Sequence, residues 1–301
     1  MPLGTNQVTT TTAATFIPEV WSDEIVAAYK KNLVAANIIK KMSFKGKKGD
    51  TVHIPAPTRG DASAKAANTQ VTLIAATEGE KTVSIDQHWE YSRLIEDIVE
   101  AQALSSLRQF YTDDAGYALA RQVDSTLIQL GRSTNGGDGT ADYTGAYSGA
   151  DGTTAYTGTA GALTDAAIRR TIQRLDDSDV PMDGRFLIVP PSTRNTLMGI
   201  ARFTEQAFVG EAGGGNTIRN GEVGNVYGIP VFVTSNADAA TDGDRICLLG
   251  HKDFAVLVEQ MGVRTQTQYK QEYLGTLFTA DVLFGVGELR DGAAIALAVP
   301  A

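Results

Sequence analysis

The chain has 301 residues, enough for one elaborated domain or two ordinary ones, and its 43% hydrophobic content supports a buried core. A net charge of −9 at pH 7 and a pI of about 4.9 argue against a general nucleic-acid binder, which needs a basic face. The single cysteine, Cys247, excludes an intrachain disulfide and, within the apolar run 245–249, reads as a small buried hydrophobe.

Residues 1–15 are Thr/Ala-rich and read as an arm with little to bury. They carry neither the basic nor the apolar region of a secretory signal. No apolar run approaches the ~18 residues that span a bilayer, so no membrane partner is expected and folding in a reducing cytoplasm is. Ser22 then caps a helix with Asp23 and Glu24 in its first turn, and Ile25, Tyr29, Leu33 and Ala36 fall on one face. A basic patch follows at Lys40, Lys41, Lys45, Lys47 and Lys48.

Two alternating runs come next. Val52, Ile54 and Ala56 share one face of the first; Val83, Ile85, Trp89 and Tyr91 share one face of the return run, 81–91. Residues 58–80 between them hold almost nothing able to form a core. A loop of that length is abnormal inside a compact subunit and predicts contacts outside it. The strongest helix follows over 104–130, with Leu104, Leu107, Tyr111, Ala115, Ala118, Val123 and Leu127 as its apolar stripe and Gly131 as its stop. At 1.5 Å per residue it would be about 40 Å long.

Residues 132–162 turn Gly/Thr/Ala/Tyr-rich and read as a surface excursion. Regular structure resumes with Thr164 capping a helix that carries Ile168, Ile172 and Leu175. A turn at Asp183-Gly184 leads into a strand over 185–189, and Pro190-Pro191 precedes a helix over 192–201. The Gly-rich loop 210–215 precedes a strand over 229–234, the chain is strand-rich from Phe254, and 290–299 ends on an apolar, central strand. The pattern is α+β, with an α/β region near 160–250 inserted in a body built from both flanks.

The catalytic inventory is thin. His53 and His88 lie on the polar faces of the two hairpin runs, where they would face each other; no carboxylate or cysteine at ligand spacing makes them a metal pair. His251 follows a strand at a turn. No Gly-x-Ser-x-Gly elbow exists, and the 210–215 glycines lack the Lys-Ser/Thr of a phosphate loop. The run Gly136-Gly-Asp-Gly139 resembles part of a calcium-binding repeat but does not recur. The lysines at 40–48 could contact phosphates, yet in so acidic a chain they read as a solvated patch that pairs with acidic neighbours. The expectation is no catalytic, cofactor or metal site, and an assembly role in place of an enzymatic one.

The order of parts resembles the major capsid proteins of tailed bacteriophages, with the Hong Kong phage-type fold also found in encapsulins. Residues 184–193 (Gly-Arg-Phe-Leu-Ile-Val-Pro-Pro-Ser-Thr) are similar to that family's strand-Pro-helix step, and residues 227–236 contain its Tyr-Gly-Ile-Pro-Val strand. The resemblance implies an N-terminal arm at 1–20, an N-terminal helix at 21–48 and an extended hairpin loop at 49–92. A peripheral domain with the spine helix and a Gly/Thr-rich insertion would span 93–162, an axial domain 163–250, and returning peripheral strands 251–301. It further implies a homo-oligomer of pentamers and hexamers forming an icosahedral shell in the virion, assembled in the host cytoplasm around double-stranded DNA without sequence-specific contacts. A portal would join it, a decoration protein could cover it, and the lack of a coiled-coil-rich extension implies a separate scaffolding protein.

Inter-subunit contacts are expected at Arg59, Asp61, Lys65, Asn68, Glu78, Glu80 and Lys81 of the loop, and at Lys45, Lys47 and Lys48 beside its base. Some relatives crosslink a loop lysine to a neighbour's asparagine; Lys65 and Asn68 lie in the loop, without an identifiable assisting carboxylate. The rival readings are an encapsulin-like compartment shell and, further off, a soluble α/β enzyme.

Overall fold

The computed structural model describes residues 34–57, 60–71, 73, 78–97, 106–200 and 224–301. The expected arm, the helix positions Ser22, Ile25, Tyr29 and Leu33, Leu104 of the long helix and the 210–215 glycine loop lie outside these residues. In chain order the elements are α1 (Ala35–Ile38), β1 (Lys40–Ser43), β2 (Thr51–Pro57), β3 (Glu78–Ser84), β4 (Gln87–Glu96), α2 (Ser106–Gln129), β5 (Tyr147–Ser148) and α3 (Asp165–Asp177). There follow β6 (Arg185–Val189), α4 (Pro191–Met198), β7 (Asn225–Val226), β8 (Ile229–Val233), β9 (Arg245–His251), β10 (Ala255–Lys270), β11 (Gly275–Glu288) and β12 (Ala294–Val299).

One sheet has the order β5-β12-β9-β6-β8-β7. Strand β6 is buried along its whole length, as a continuous apolar run covered on both faces should be. Leu187 and Val189 pack with Ile168 and Leu175 of α3, whereas Phe186 and Ile188 share a core with Leu127 and Ile128 of α2. Helix α3 begins where expected: Thr164 Oγ1 accepts the Ala167 N–H at 3.2 Å. Gly184 adopts φ +84 in the turn before β6, a conformation that suits glycine. Pro191 opens α4, where its missing N–H costs nothing.

The second sheet has the order β1-β10-β11-β4, built on the long antiparallel β10–β11 hairpin. Helix α2, about 36 Å long by its rise, packs on β4, β10 and β11, and its core also includes Phe186, Ile188 and Leu248 of the first sheet. Its buried positions are Ala115, Leu119, Leu127 and Ile128, while Ala118 and Val123 of the expected stripe are only half-buried. Asp124 is buried on the same face. Its Oδ1 accepts the N–H groups of Val34 (3.0 Å), Ala35 (2.7 Å) and Ala36 (3.3 Å), and its Oδ2 accepts from Asn236 (3.1 Å). The carboxylate thus caps α1 and ties it to the loop after β8.

The return run at 81–91 does not form one strand. It divides near Asp86 between β3, which pairs with β2, and β4, which leaves to pair with β11. Consequently His53 and His88 do not face each other. His53 Nδ1 lies 3.1 Å from Glu80, and His88 Nε2 lies 3.3 Å from Asp281 in the other sheet. Trp89 stands opposite Val282 on β4 and is 40% exposed, so it takes no part in the hairpin base.

Residues 132–162 are not a surface excursion. Tyr143, Ala146 and Tyr156 are buried together with Ile246, Ala296 and Ala298. The Tyr143 hydroxyl donates to Asp238 at 2.7 Å and the Tyr156 hydroxyl to Asp244 at 3.1 Å. Strand β5 pairs in parallel with β12, so this tract extends the six-stranded sheet. Strand β12 lies in that sheet rather than beside β10 and β11, and a boundary at 251 therefore separates strands that the structure pairs across it.

Candidate assembly surfaces

The hairpin root is fixed to its own subunit. Val52, Val83 and Ile85 are buried against Val256 and Val258 of β10, with Ile54 half-buried beside them. Fully burying a valine contributes about 1.5–3 kcal/mol, so these few side chains suffice to hold the ribbon. The contact needs glycine beneath it: a Cβ on Gly287 of β11 would meet Val83 Cγ2 at 2.5 Å. Gln260 fastens the approach to β2 by donating to the carbonyls of Lys47 (3.0 Å) and Gly49 (2.9 Å).

Beyond the root the ribbon has two faces. Register pairs Pro55 with Glu80 and Pro57 with Glu78, which places Glu78 and Glu80 on the face of His53. An open depression of about 540 Å³ lies there, lined by His53, Pro55, Pro57, Glu78, Gly79 and Glu80. Lys81 points to the other face, where its charge acts on Glu288.

Asp61, Lys65 and Asn68 are exposed, and Arg59 lies outside the described residues. Asn68 takes φ 63 in a turn closed by Thr69, whose hydroxyl donates to the Ala66 carbonyl at 2.7 Å. The loop also displays Val71, 64% exposed, and Leu73, 91% exposed. These were missed among the candidates, although apolar residues at alternating positions 71 and 73 in a polar tract are a visible signal.

Among the basic candidates, Lys45 meets Glu259 at 3.7 Å, a solvated pair of little net worth. The Lys47 ammonium sits 4.7 Å over the Phe44 ring, and Lys48 is exposed. The structure therefore groups Glu78 with Glu80, keeps Lys81 on the opposite face, and gives Lys45 an acidic partner within its own subunit.

A second exposed apolar surface had no sequence candidate. At the far end of the β10–β11–β4 sheet, Leu94, Tyr269, Tyr273 and Leu274 are all at least 40% exposed. The Tyr269 hydroxyl donates to Asp97 at 2.7 Å. Partway along, Arg264 grips Asp281 through Nε (3.0 Å) and Nη2 (2.8 Å), and this fork, helped by His88, holds the Asp281 carboxyl below the usual range. Among the described residues no group of three or more His, Cys, Asp or Glu is arranged to hold a metal ion.

Comparison with known proteins agrees with a surface-rich assembly subunit. A solved structure from Mycobacterium phage Che8 superimposes with a TM-score of 0.75 at 23% identity, covering 94% of this chain and 97% of that one. The capsid structure of the cyanophage P-SCSP1u gives a TM-score of 0.74 at 21% identity, covering 99% of this chain and 96% of that one. The capsid of an empty GTA particle gives 0.63 at 11% identity, covering 99% and 100%. At these identities the likeness is one of fold. No curated protein sequence matches. The family profile described as phage capsid protein matches residues 89–297, most of the chain. The chain belongs to that phage capsid family and has the α+β fold of tailed-phage major capsid proteins.

Proposed function

We propose that this capsid protein self-assembles into the pentamers and hexamers of an icosahedral shell around double-stranded DNA, with a separate scaffolding protein and a portal as partners. The observation that carries this is the hairpin: its root is bolted to the subunit, while the described residues beyond it, including Leu73 at 91% exposure, are not packed into any core among the described residues. Such a loop acquires packing only beside a neighbour. Each contact contributes a few kcal/mol, and a subunit held by several at once is retained by avidity. The net charge of −9 suits a wall that does not bind the genome it contains.

Replacing residues 57–78 by Asn-Gly tests this, because the pair Ala56/Gly79 would close a two-residue turn. The expected product is a folded subunit that forms no shells in negative-stain microscopy. Intact particles would show that the loop does not grip neighbours. Particles of the unaltered chain should contain nucleic acid; a protein cargo instead would point to a storage compartment.

A further inference from the structure

The two edges of the β2–β3 ribbon are unequal. Ile85 N–H donates to the Asp50 carbonyl at 2.7 Å, which makes 50/85 a hydrogen-bonded pair. The register then makes Val52/Val83, Ile54/Lys81 and Ala56/Gly79 the next bonded pairs. The intervening residues turn their backbone groups outwards: Thr51, His53, Pro55 and Pro57 on β2, and Glu78, Glu80, Thr82 and Ser84 on β3, the last with its carbonyl against Gly285 of β11. Two of the four outward positions on β2 are proline and cannot donate. Strand β3 has no such block. Glu78, Glu80 and Thr82 are exposed, and among the described residues nothing bonds to the outward N–H or C=O of Glu80 or Thr82. An unblocked edge of this kind is a template for another strand.

We infer that the outer edge of β3 pairs with a strand of a second copy of this chain, while the edge of β2 stays unpaired. Charge selects the occupant. The β3 edge carries Glu78 and Glu80, and among the other edge strands described (β1, β2, β4, β5 and β7) β1 is the basic one. Strand β1 ends its sheet, and Lys40 and Phe44 turn their N–H groups inward to Lys252 and Glu259. That leaves Lys41 and Ser43 facing outwards on β1, with Lys40, Lys45, Lys47 and Lys48 around them. An acidic edge and a basic edge on one chain complement each other between copies. Because they are different patches, the contact runs head to tail, the arrangement that closes rings. Pairing β3 with a second β3 would instead gather glutamates, which is unfavourable. The inference rests on the shell reading above and gives its hairpin contact a direction.

His53 and Thr82 are register partners, so proline at each makes a matched test of the two edges. Thr82→Pro should lower particle yield by roughly tenfold or more, since one contact of an avid set is lost at every subunit. His53→Pro should leave the yield within about twofold of the unaltered chain, and both unassembled subunits should keep the same far-ultraviolet dichroism. Independently of either variant, hydrogen exchange on unaltered shells should show the amides of Glu80 and Thr82 slowed at least about tenfold by assembly, with that of His53 unchanged.

For the occupant, a Glu78→Lys/Glu80→Lys chain should fail to assemble, and adding Lys41→Glu/Lys45→Glu to the same chain, which exchanges the two charges in every ring, should restore assembly. Equal yields from the two proline variants, unprotected Glu80 and Thr82 amides in shells, or a charge-exchanged chain that fails to assemble would each overturn the inference. Failure of the unaltered chain to form shells would instead overturn the shell reading itself.

Discussion

Two tracts of this chain look alike on composition and behave in opposite ways. Residues 58–77 and 132–162 are both rich in Thr, Ala and small polar residues. The first, where described, is exposed throughout; the second is folded into the six-stranded sheet. What separates them is a few aromatic anchors and close-fitting glycines. Tyr143 and Tyr156 bury their rings and satisfy their hydroxyls on Asp238 and Asp244, and burial raises both phenol pKa values, that of Tyr156 to about 12. Gly149 lets the tract approach β12 so closely that a Cβ there would meet Val299 Cγ1 at 2.8 Å. The loop has no aromatic residue, and its Val71 and Leu73 are left outside. A Gly/Thr-rich composition therefore does not by itself mean an excursion; tyrosines with partners decide it.

That contrast can be broken most severely at Tyr143. Truncation by Tyr143→Ala should cost about 3–5 kcal/mol, seen as a lower denaturant midpoint of the unassembled subunit. If the midpoint held, the tract would not be part of the core. Gly149→Ala should cost about 1–3 kcal/mol by overpacking against Val299 and the Ala298 carbonyl, readable in the same titration.

Glu288 touches both regions, with Ser133 of the folded tract and Lys81 of the hairpin beside it. Its Oε1 is buried without a hydrogen-bond partner, and desolvation, with Asp291 adding repulsion, raises its carboxyl pKa. A raised carboxylate pKa means that the charged form destabilises the folded state. That penalty is absent below the ordinary range near about pH 4 and grows as pH rises through the elevated value. Glu288→Gln should therefore raise the melting temperature near neutral pH by a degree or two and leave it unchanged near about pH 4. A gain independent of pH would mean that packing, not ionisation, is responsible. Smallest of all, Leu73→Ser should move subunit stability by no more than about 0.5 kcal/mol while reducing shell yield. A loss of subunit stability would place Leu73 in a core of its own chain.

Much of the framework was legible because its signals are local. Thr164 as a cap, the apolar run of β6, and the alternation of Val52 with Val83 are all written within a few residues. The division of the run 81–91 was not legible. Its alternation continues across Asp86, and only Gly285 and Gly287, some two hundred residues later, decide that the ribbon ends over β11. Asp124 escaped notice for a related reason. A carboxylate on a helix face looks solvated until its three backbone donors from 34–36 are brought to it by the fold. For the assembly surfaces, charge pointed to Glu78, Glu80 and the lysines, but the edge asymmetry needs a register, and composition carries none.

Strand β12 has a consequence for how the subunit comes into being. Leu297 stands beside Tyr147 on one side and Cys247 on the other, so an inner strand of the sheet comes from residues about a hundred and fifty positions after the tract it covers. Pairings between residues so distant in sequence form slowly, after a large entropic search. Until then the tract around Tyr143 lacks the wall it packs on, and one side of β9 stands open. A nascent chain can thus pair β2 with β3 before Val256 and Val258 arrive to hold their root, and before its own centre is complete. A helper that shields β9 in that interval would raise the yield of folded subunits without contributing a contact to them.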